Sequence, residues 1–179
     1  MPRRPAPFTA EGTHVRLEPL SHRHHDDLAE AAGEGDLHRL WYTSVPSPEG
    51  MTAEIDRRLA LQEAGTMLPF AVVEPQTGCA VGMTTFMNID AANRRLEIGS
   101  TWLRPAVQRT SLNTEAKLLL MRHAFDRLGC IAVEFRTHVM NRQSRSAIER
   151  LGARLDGILR QHMILPNGTV RDTAVYSVT

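Results

Sequence analysis

The chain is expected to fold as one mixed α/β (α+β) domain, a mostly antiparallel central sheet of about seven strands with helices on both faces. Three observations predict this. Apolar or alternating runs at 67–73, 79–87 and 95–103 are separated only by short turn-forming stretches, which argues for an antiparallel meander. The third run is followed by Leu118, Met121, Phe125 and Leu128 at helical spacing and then by a β-rich run at 131–139. That strand–helix–strand crossover implies one locally parallel pair. Finally, runs at 153–164 and 170–178 flank Pro166, Asn167 and Gly168, a hairpin turn.

Length and composition fit this picture. The chain has 179 residues, 42% hydrophobic and 23% charged, with a formal net charge of +1. That is the size of one domain with a sizeable core. The charge balance gives no footing to a nucleic-acid partner held by bulk electrostatics. No apolar run reaches the roughly 18 residues a membrane span needs. The N-terminus, MPRRPAPF, is basic but lacks the apolar segment of a signal peptide. Cys79 and Cys130 are isolated and read as small buried hydrophobes rather than a disulfide. A cytoplasmic protein is expected.

Taken in order, residues 1–12 are Pro-rich and polar and read as a flexible arm before a domain at 13–179. A short strand at 15–19 ends at Pro19. Ser21 caps a helix to about residue 32 with Leu28 and Ala31 inward. His22, His24 and His25 lie in its first turn, but adjacent His24 and His25 do not share a face, so no metal site is expected. A short helix at 36–42 carries Trp41 and Tyr42, and a second helix at 52–64 shows Ile55, Leu59 and Leu61 before Gly65. In the strand at 95–103, strict alternation sets Leu96, Ile98, Ser100 and Trp102 on one face, and Glu97, Gly99, Thr101 and Leu103 on the other. Pro105 ends that ladder, and Gly129 ends the long helix that follows. Asn141 caps a last helix, which Leu151 and Gly152 close.

The stretch TWLRPAVQRTSLNTE at 101–115 carries the chemistry. It runs from a strand end through a tight loop into the first turn of the long helix, where Ser111, Asn113 or Thr114 would cap. A helix start with unpaired N–H groups and a favourable dipole is a site for phosphate or pyrophosphate, with Arg104 and Arg109 adding charge. The alternative is an ordinary strand–helix connection with two solvated arginines.

The loop Gln108, Arg109, Thr110, Ser111, Leu112, Asn113, followed by Thr114, resembles the acetyl-CoA-binding motif of the GNAT superfamily of N-acetyltransferases, Gln/Arg-x-x-Gly-x-Gly/Ala. Ser111 and Asn113 stand where the family has glycine or alanine. Asn tolerates the left-handed backbone region and Ser is small, so the loop is expected to keep its path. Asn141 and Ser144, with Ile148 to Gly152, resemble the family's Asn-x-x-Ser…Glu-Lys-Leu-Gly-Phe segment. Gly157, Gly168, Arg171, Asp172 and Tyr176 resemble the C-terminal hairpin of the ribosomal-protein (RimJ/RimL-like) branch.

The resemblance implies acetyl transfer from acetyl-CoA, without a metal, to a primary amine, either a protein N-terminus or a small molecule. It implies a CoA site formed by Trp102, Leu103, Arg104, Gln108, Arg109, Thr110, Ser111, Leu112, Asn113, Thr114 and Asn141. Ser144 would serve the departing thiolate, or else simply bond the helix cap. Ile148 excludes the tyrosine acid that many family members have there. Glu97 is the candidate general base, with Glu134 behind it; the other reading pairs Glu97 with Arg94 or Arg95 at the surface. Trp41 and Tyr42 would line the acceptor cleft, or pack in the core. A homodimer is an open assembly. The alternative to an enzyme is an impaired module that binds acyl-CoA or a protein partner without turnover. No Gly-x-Ser-x-Gly elbow supports hydrolase chemistry.

Overall fold

The computed structural model describes residues 5–39 and 45–179, without the side chain of Asp36. Its strands are β1 (Ala10–Glu11), β2 (Arg16–Pro19), β3 (Met67–Val73), β4 (Ala80–Asp90), β5 (Arg95–Leu103), β6 (Ala132–His138), β7 (Arg154–Ile164) and β8 (Val170–Val178). The α-helices among the described residues are α1 (His25–Gly33), α2 (Met51–Glu63), α3 (Ser111–Arg122) and α4 (Arg142–Arg150). One sheet holds the strands in the order β1-β2-β3-β4-β5-β6-β8-β7. Every pairing is antiparallel except β5 with β6, the pair joined by the α3 crossover.

Eight strands form where about seven were expected, and the extra one corrects the reading of the N-terminus. Ala10 and Glu11 pair with Leu17 and Arg16. Phe8 stacks on His123 with ring centroids 3.6 Å apart and meets Phe70 edge-on at 4.9 Å. Glu115 of α3 accepts hydrogen bonds from the backbone N–H groups of Thr13 and His14. From Phe8 onward the segment is therefore fastened rather than loose.

The sheet divides the core in two. Under α3 and α4 lie Leu68, Phe70, Phe86, Leu96, Ile98, Val133 and Phe135, with Leu112, Ala116 and Leu120 from α3. Under α1 and α2 lie Ala71, Met83 and Trp102, with Leu28, Ala31, Met51 and Ile55. β3 is buried at every position, as its continuous apolar run implies. At the far edge, β7 is exposed along nearly its whole length. Cys79 and Cys130 are free thiols, half-buried rather than fully buried.

Two irregularities position the site. The parallel ladder runs only through Arg95–Ala132, Leu96–Val133 and Glu97–Glu134, after which β5 and β6 part. Between Thr85–Gly99 and Met83–Trp102 the register shifts, because β5 spends one residue more than β4. Ser100 sits at φ +47° in this bulge. The extra residue overturns the strict alternation read from the sequence. Trp102 joins the α1/α2 core, and Leu103 joins Leu96 and Ile98 on the α3 side. Gly82 lets the strands approach here, since a Cβ would lie 2.1 Å from the Trp102 carbonyl oxygen.

Candidate active site

The opening between β5 and β6 is the centre of the site. Past Glu97, the edge of β5 facing β6 has no ladder partner, and the bulge residues Ser100 and Thr101 are exposed. Unpaired strand groups can hydrogen-bond a ligand laid along them. The bulge is braced from both faces. Arg58 of α2 donates from Nη2 to the Ser100 carbonyl oxygen at 3.1 Å and from Nη1 to Thr85 Oγ1 at 2.7 Å. Lys117 of α3 donates from Nζ to Thr84 Oγ1 at 2.9 Å and to Thr101 Oγ1.

Glu97 lies on the sheet face opposite Leu96 and Ile98, where Gly99 leaves room for it; a Cβ there would come within 2.8 Å of Oε1. The residue is 5% exposed. Its Oε2 accepts from Asn88 Nδ2 at 2.7 Å and lies 3.5 Å from Arg136 Nε. Burial raises its pKa, against the lowering effects of Asn88 and Arg136. Glu97 is thus a buried carboxylate and does not pair with Arg94 or Arg95. Arg95 pairs with Glu134 instead, and Glu134 also binds Arg136 at 3.0 Å. Glu134 and Arg136 line a cavity of about 530 Å³ with Asp156 and Leu159 of β7.

The loop into α3 departs from the sequence reading in several places. The cap is Thr110, whose Oγ1 accepts from Leu112 N–H at 3.3 Å and donates to the Val107 carbonyl at 2.7 Å. Ser111 and Asn113 are helical, and the left-handed residue is Arg109, at φ +61°. The conformational freedom a glycine would supply is taken up two residues before Ser111, so Asn113 needs no special backbone. Arg104 is drawn away into α1 and its following turn. Its Nε donates to Glu34 at 2.6 Å and its Nη2 to Glu30 at 3.3 Å, while Ala106 N–H binds the other Glu34 oxygen. Gln108 is also spent locally, donating to the Leu103 carbonyl at 2.9 Å. Trp102, Leu103 and Leu112 are buried, so their side chains are packing groups. What remains open to a ligand is exposed Arg109, Thr110, Ser111 and Thr114, half-buried Asn113, and the first-turn N–H groups.

The start of α4 matches the sequence reading. Asn141 Oδ1 accepts from Ser144 N–H at 3.0 Å, which leaves the Asn141 amide nitrogen for another acceptor. Tyr176 locks the helix in place: its hydroxyl accepts from Arg145 Nε at 2.8 Å and donates to Glu149 Oε1 at 2.8 Å.

Trp41 and Tyr42 lie outside the described residues. The three histidines at 22–25 bind three different carboxylates, His22 with Asp56, His24 with Glu18 and His25 with Asp26, so they do not converge. Three site residues carried no motif: Arg58, Lys117 and His138. Two had a visible signal, a cation on an apolar helical stripe. Arg58 follows Met51 and Ile55, and Lys117 lies four residues before Met121. His138 is 4% exposed, accepts from Met140 N–H at 3.1 Å, and by strand alternation shares the Glu134 and Arg136 face. Burial and Arg171 lower its pKa.

Known proteins resemble this arrangement. A family model described as acetyltransferase (GNAT) domain matches residues 14–154. A GCN5-related N-acetyltransferase structure from Brucella melitensis is 36% identical, with a TM-score of 0.89, covering 98% of this chain and 80% of that one. A Bacillus subtilis protein provisionally named ribosomal N-acetyltransferase YdaF is 32% identical over 101 residues, which span 56% of this chain and 54% of that relative. The structure described as microcin C7 self-immunity acetyltransferase MccE in complex with acetyl-CoA and AMP shares the fold alone, at 20% identity and a TM-score of 0.82, covering 94% of this chain and 93% of that one. With its parallel strand pair opening after Glu97, its crossover helix and the match across 14–154, the chain belongs to the GNAT acetyltransferase family.

Proposed function

We propose that the protein transfers acetyl from acetyl-CoA to a primary amine by direct attack in a ternary complex. The observation that carries this is the parting of β5 and β6 beside a strand bulge, with two capped helix starts nearby. CoA would lie along the unpaired edge of β5. Its pyrophosphate would meet the N–H groups at the start of α3, with Ser111 and Asn113 as supplementary donors and Arg109 as the cation. Asn141 would hold the pantetheine arm through its free amide nitrogen. The relative described with bound acetyl-CoA supports the co-substrate by likeness of fold.

In the reaction the amine nitrogen attacks the thioester carbonyl carbon, a C–N bond forms and the C–S bond breaks. A bulge N–H would polarise the carbonyl oxygen. Glu97 takes the proton the amine loses, directly or through a water. Burial suits it to this role, because a carboxylate with a raised pKa is the stronger base. The Ser144 hydroxyl donates a hydrogen bond to the departing sulfur. The acceptor would occupy the polar side of the sheet near Glu134 and Arg136, where the cavity lies. A protein N-terminus is the favoured amine, in line with the name of the Bacillus subtilis relative, and small-molecule amines are the next class to screen.

One observation favours the second reading, an acyl-CoA-binding module without turnover. The α3 start has side chains where the family has glycine, and Arg104 is withdrawn from it. Thiol release from acetyl-CoA in the presence of a panel of peptide N-termini and small amines separates the two. Amine-dependent thiol release supports the enzyme. Acetyl-CoA binding without release supports the module, and no binding at millimolar acetyl-CoA defeats both.

A further inference from the structure

The two buried cations that brace the bulge are not equivalent. Arg58 is 1% exposed and has a carboxylate in contact, Glu54 Oε1 at 2.6 Å. Lys117 is 6% exposed and binds only hydroxyls, those of Thr84 and Thr101, which also bind each other at 2.8 Å. A buried ammonium held by neutral partners is costly. Apolar residues at this place on α3 would pack against the core at no such cost, so the lysine calls for a reason. Thr101 is exposed in the opening between β5 and β6, so the ammonium stands one hydrogen bond behind the surface on which a ligand would lie.

We propose that Lys117 is a positioning residue for acyl transfer: through Thr84 and Thr101 it fixes the bulge, and its charge strengthens the bulge N–H groups as donors to a thioester oxygen. The proposal rests on the acetyltransferase reading above. A fixed positive charge in a water-poor site strengthens such donors without any rearrangement during reaction. The charged form donates to both hydroxyls. The neutral amine has a lone pair, so one threonine can turn to donate to it, and the bulge slackens.

Neutralisation falls in an accessible range, since burial pushes the Lys117 pKa down to about 7, with Glu97 of β5 opposing the shift. Thr84 faces the ammonium from β4 and Thr101 from β5. On the other face of the sheet Arg58 of α2 binds the Ser100 carbonyl, and Glu97 is itself offset by Arg136 of β6 and Arg171 of β8.

The test uses the whole chain, wild type and K117M, in two measurements. The first is a pH titration, without ligand, of the backbone amide NMR signals of Ser100 and Thr101. In wild type they should titrate together near neutral pH, and in K117M they should not. The second is acetyl-CoA affinity and the kcat–pH profile with an active amine. K117M should bind acetyl-CoA within about two-fold of wild type, but kcat at neutral pH should fall at least about ten-fold. The fall in kcat as pH rises past neutrality, expected in wild type, should be gone. A purely structural lysine would leave both the amide titration and the alkaline limb unmoved. The proposal is overturned if the wild-type amides do not titrate, if K117M titrates like wild type, or if its kcat is unchanged. Should K117M fail to fold, T84V keeps the charge but removes one acceptor, and the amide midpoint should move to lower pH; an unmoved midpoint overturns the proposal. If wild type acetylates no amine, the acetyltransferase reading fails, and the amide titration still decides whether Lys117 governs the bulge.

Discussion

The two faces of β5 solve one problem differently. On the α2 face a buried cation meets a carboxylate: Arg58 is neutralised by Glu54, which Arg57 also contacts, and burial lowers the Arg58 pKa while Glu54 opposes it. On the α3 face Lys117 hydrogen-bonds only hydroxyls, and burial lowers its pKa to about 7 while Glu97 opposes the shift. Glu97 adds a third case, a buried carboxylate with a neutral amide as its closest partner and a guanidinium further off. A paired charge is a structural fixture. An underpaired one is sensitive to its surroundings, and both underpaired charges lie beside the opening between β5 and β6. The contrast suggests that α2 gives the bulge its stability and that Lys117 and Glu97 give it chemistry.

Substitutions should separate these roles. The largest effect is expected for Glu97→Gln, which removes the proposed base; kcat should fall about 10²–10⁴-fold. Its stability should move the other way. A carboxyl whose folded pKa is raised costs stability once pH passes that pKa, so the amide variant should melt no lower than wild type at pH 8. Parallel losses of activity and melting temperature would make Glu97 structural.

Next comes Glu54→Gln, which strands Arg58; denaturant unfolding should show a loss of about 3–5 kcal/mol. The Glu54→Gln/Arg58→Met double variant should recover part of it, and failure to do so would mean that Arg58 contributes more through Thr85 and Ser100 than through its ion pair.

The pH dependence of stability in Lys117→Met is a finer probe. The folded pKa of Lys117 is about 7 against an ordinary value of 10.5. Between these values the unfolded chain holds the proton and the folded chain does not, so wild-type stability rises with pH across that window. The lysine's cost is therefore full below pH 7 and fades toward pH 10. The gain in stability of Lys117→Met over wild type should be larger at pH 7 than at pH 10, by up to about 1.4 kcal/mol per unit of pH. A pH-independent difference would mean that Lys117 is not desolvated. Asn141→Ala, away from β5, gives the scale of an ordinary cap, about 0.5–2 kcal/mol. It should weaken CoA binding as well, whereas a stability loss with unchanged CoA affinity would confine Asn141 to capping.

Most of the fold could be read from the chain because its signals are local. The periodicities, the Pro166–Asn167–Gly168 turn and the Asn141 cap each depend on a few neighbouring residues, and β3, β5 and β8 begin and end where those signals put them. The misreadings share a different cause. Whether Trp102 faces α1 or α3 depends on a bulge, and Ser100 has no local feature that announces φ +47°. Arg104 reads as an anion-site cation until α1 brings Glu30 and Glu34 against it from some 70 positions earlier in the chain. Phe8 reads as part of an arm until the sheet presents Phe70 and Phe86 and the end of α3 presents His123. Within the site, Glu97 reads as a mid-strand carboxylate from the sequence, but its burial follows from Gly99 and Asn88 meeting it in three dimensions. Lys117 and Arg58 left a trace, a cation on an apolar stripe, which has meaning only once the bulge between them is known.

The central claim, that acetyl-CoA lies in the opening between β5 and β6 with its pyrophosphate at the start of α3, is tested most directly by following backbone amide NMR signals as acetyl-CoA is added. The account predicts the largest shifts at Ser100 and Thr101, at residues 110–114 and at Asn141, all saturating with one affinity that weakens as salt rises. Saturable shifts confined to another surface, or none at millimolar acetyl-CoA in a folded sample, would contradict it.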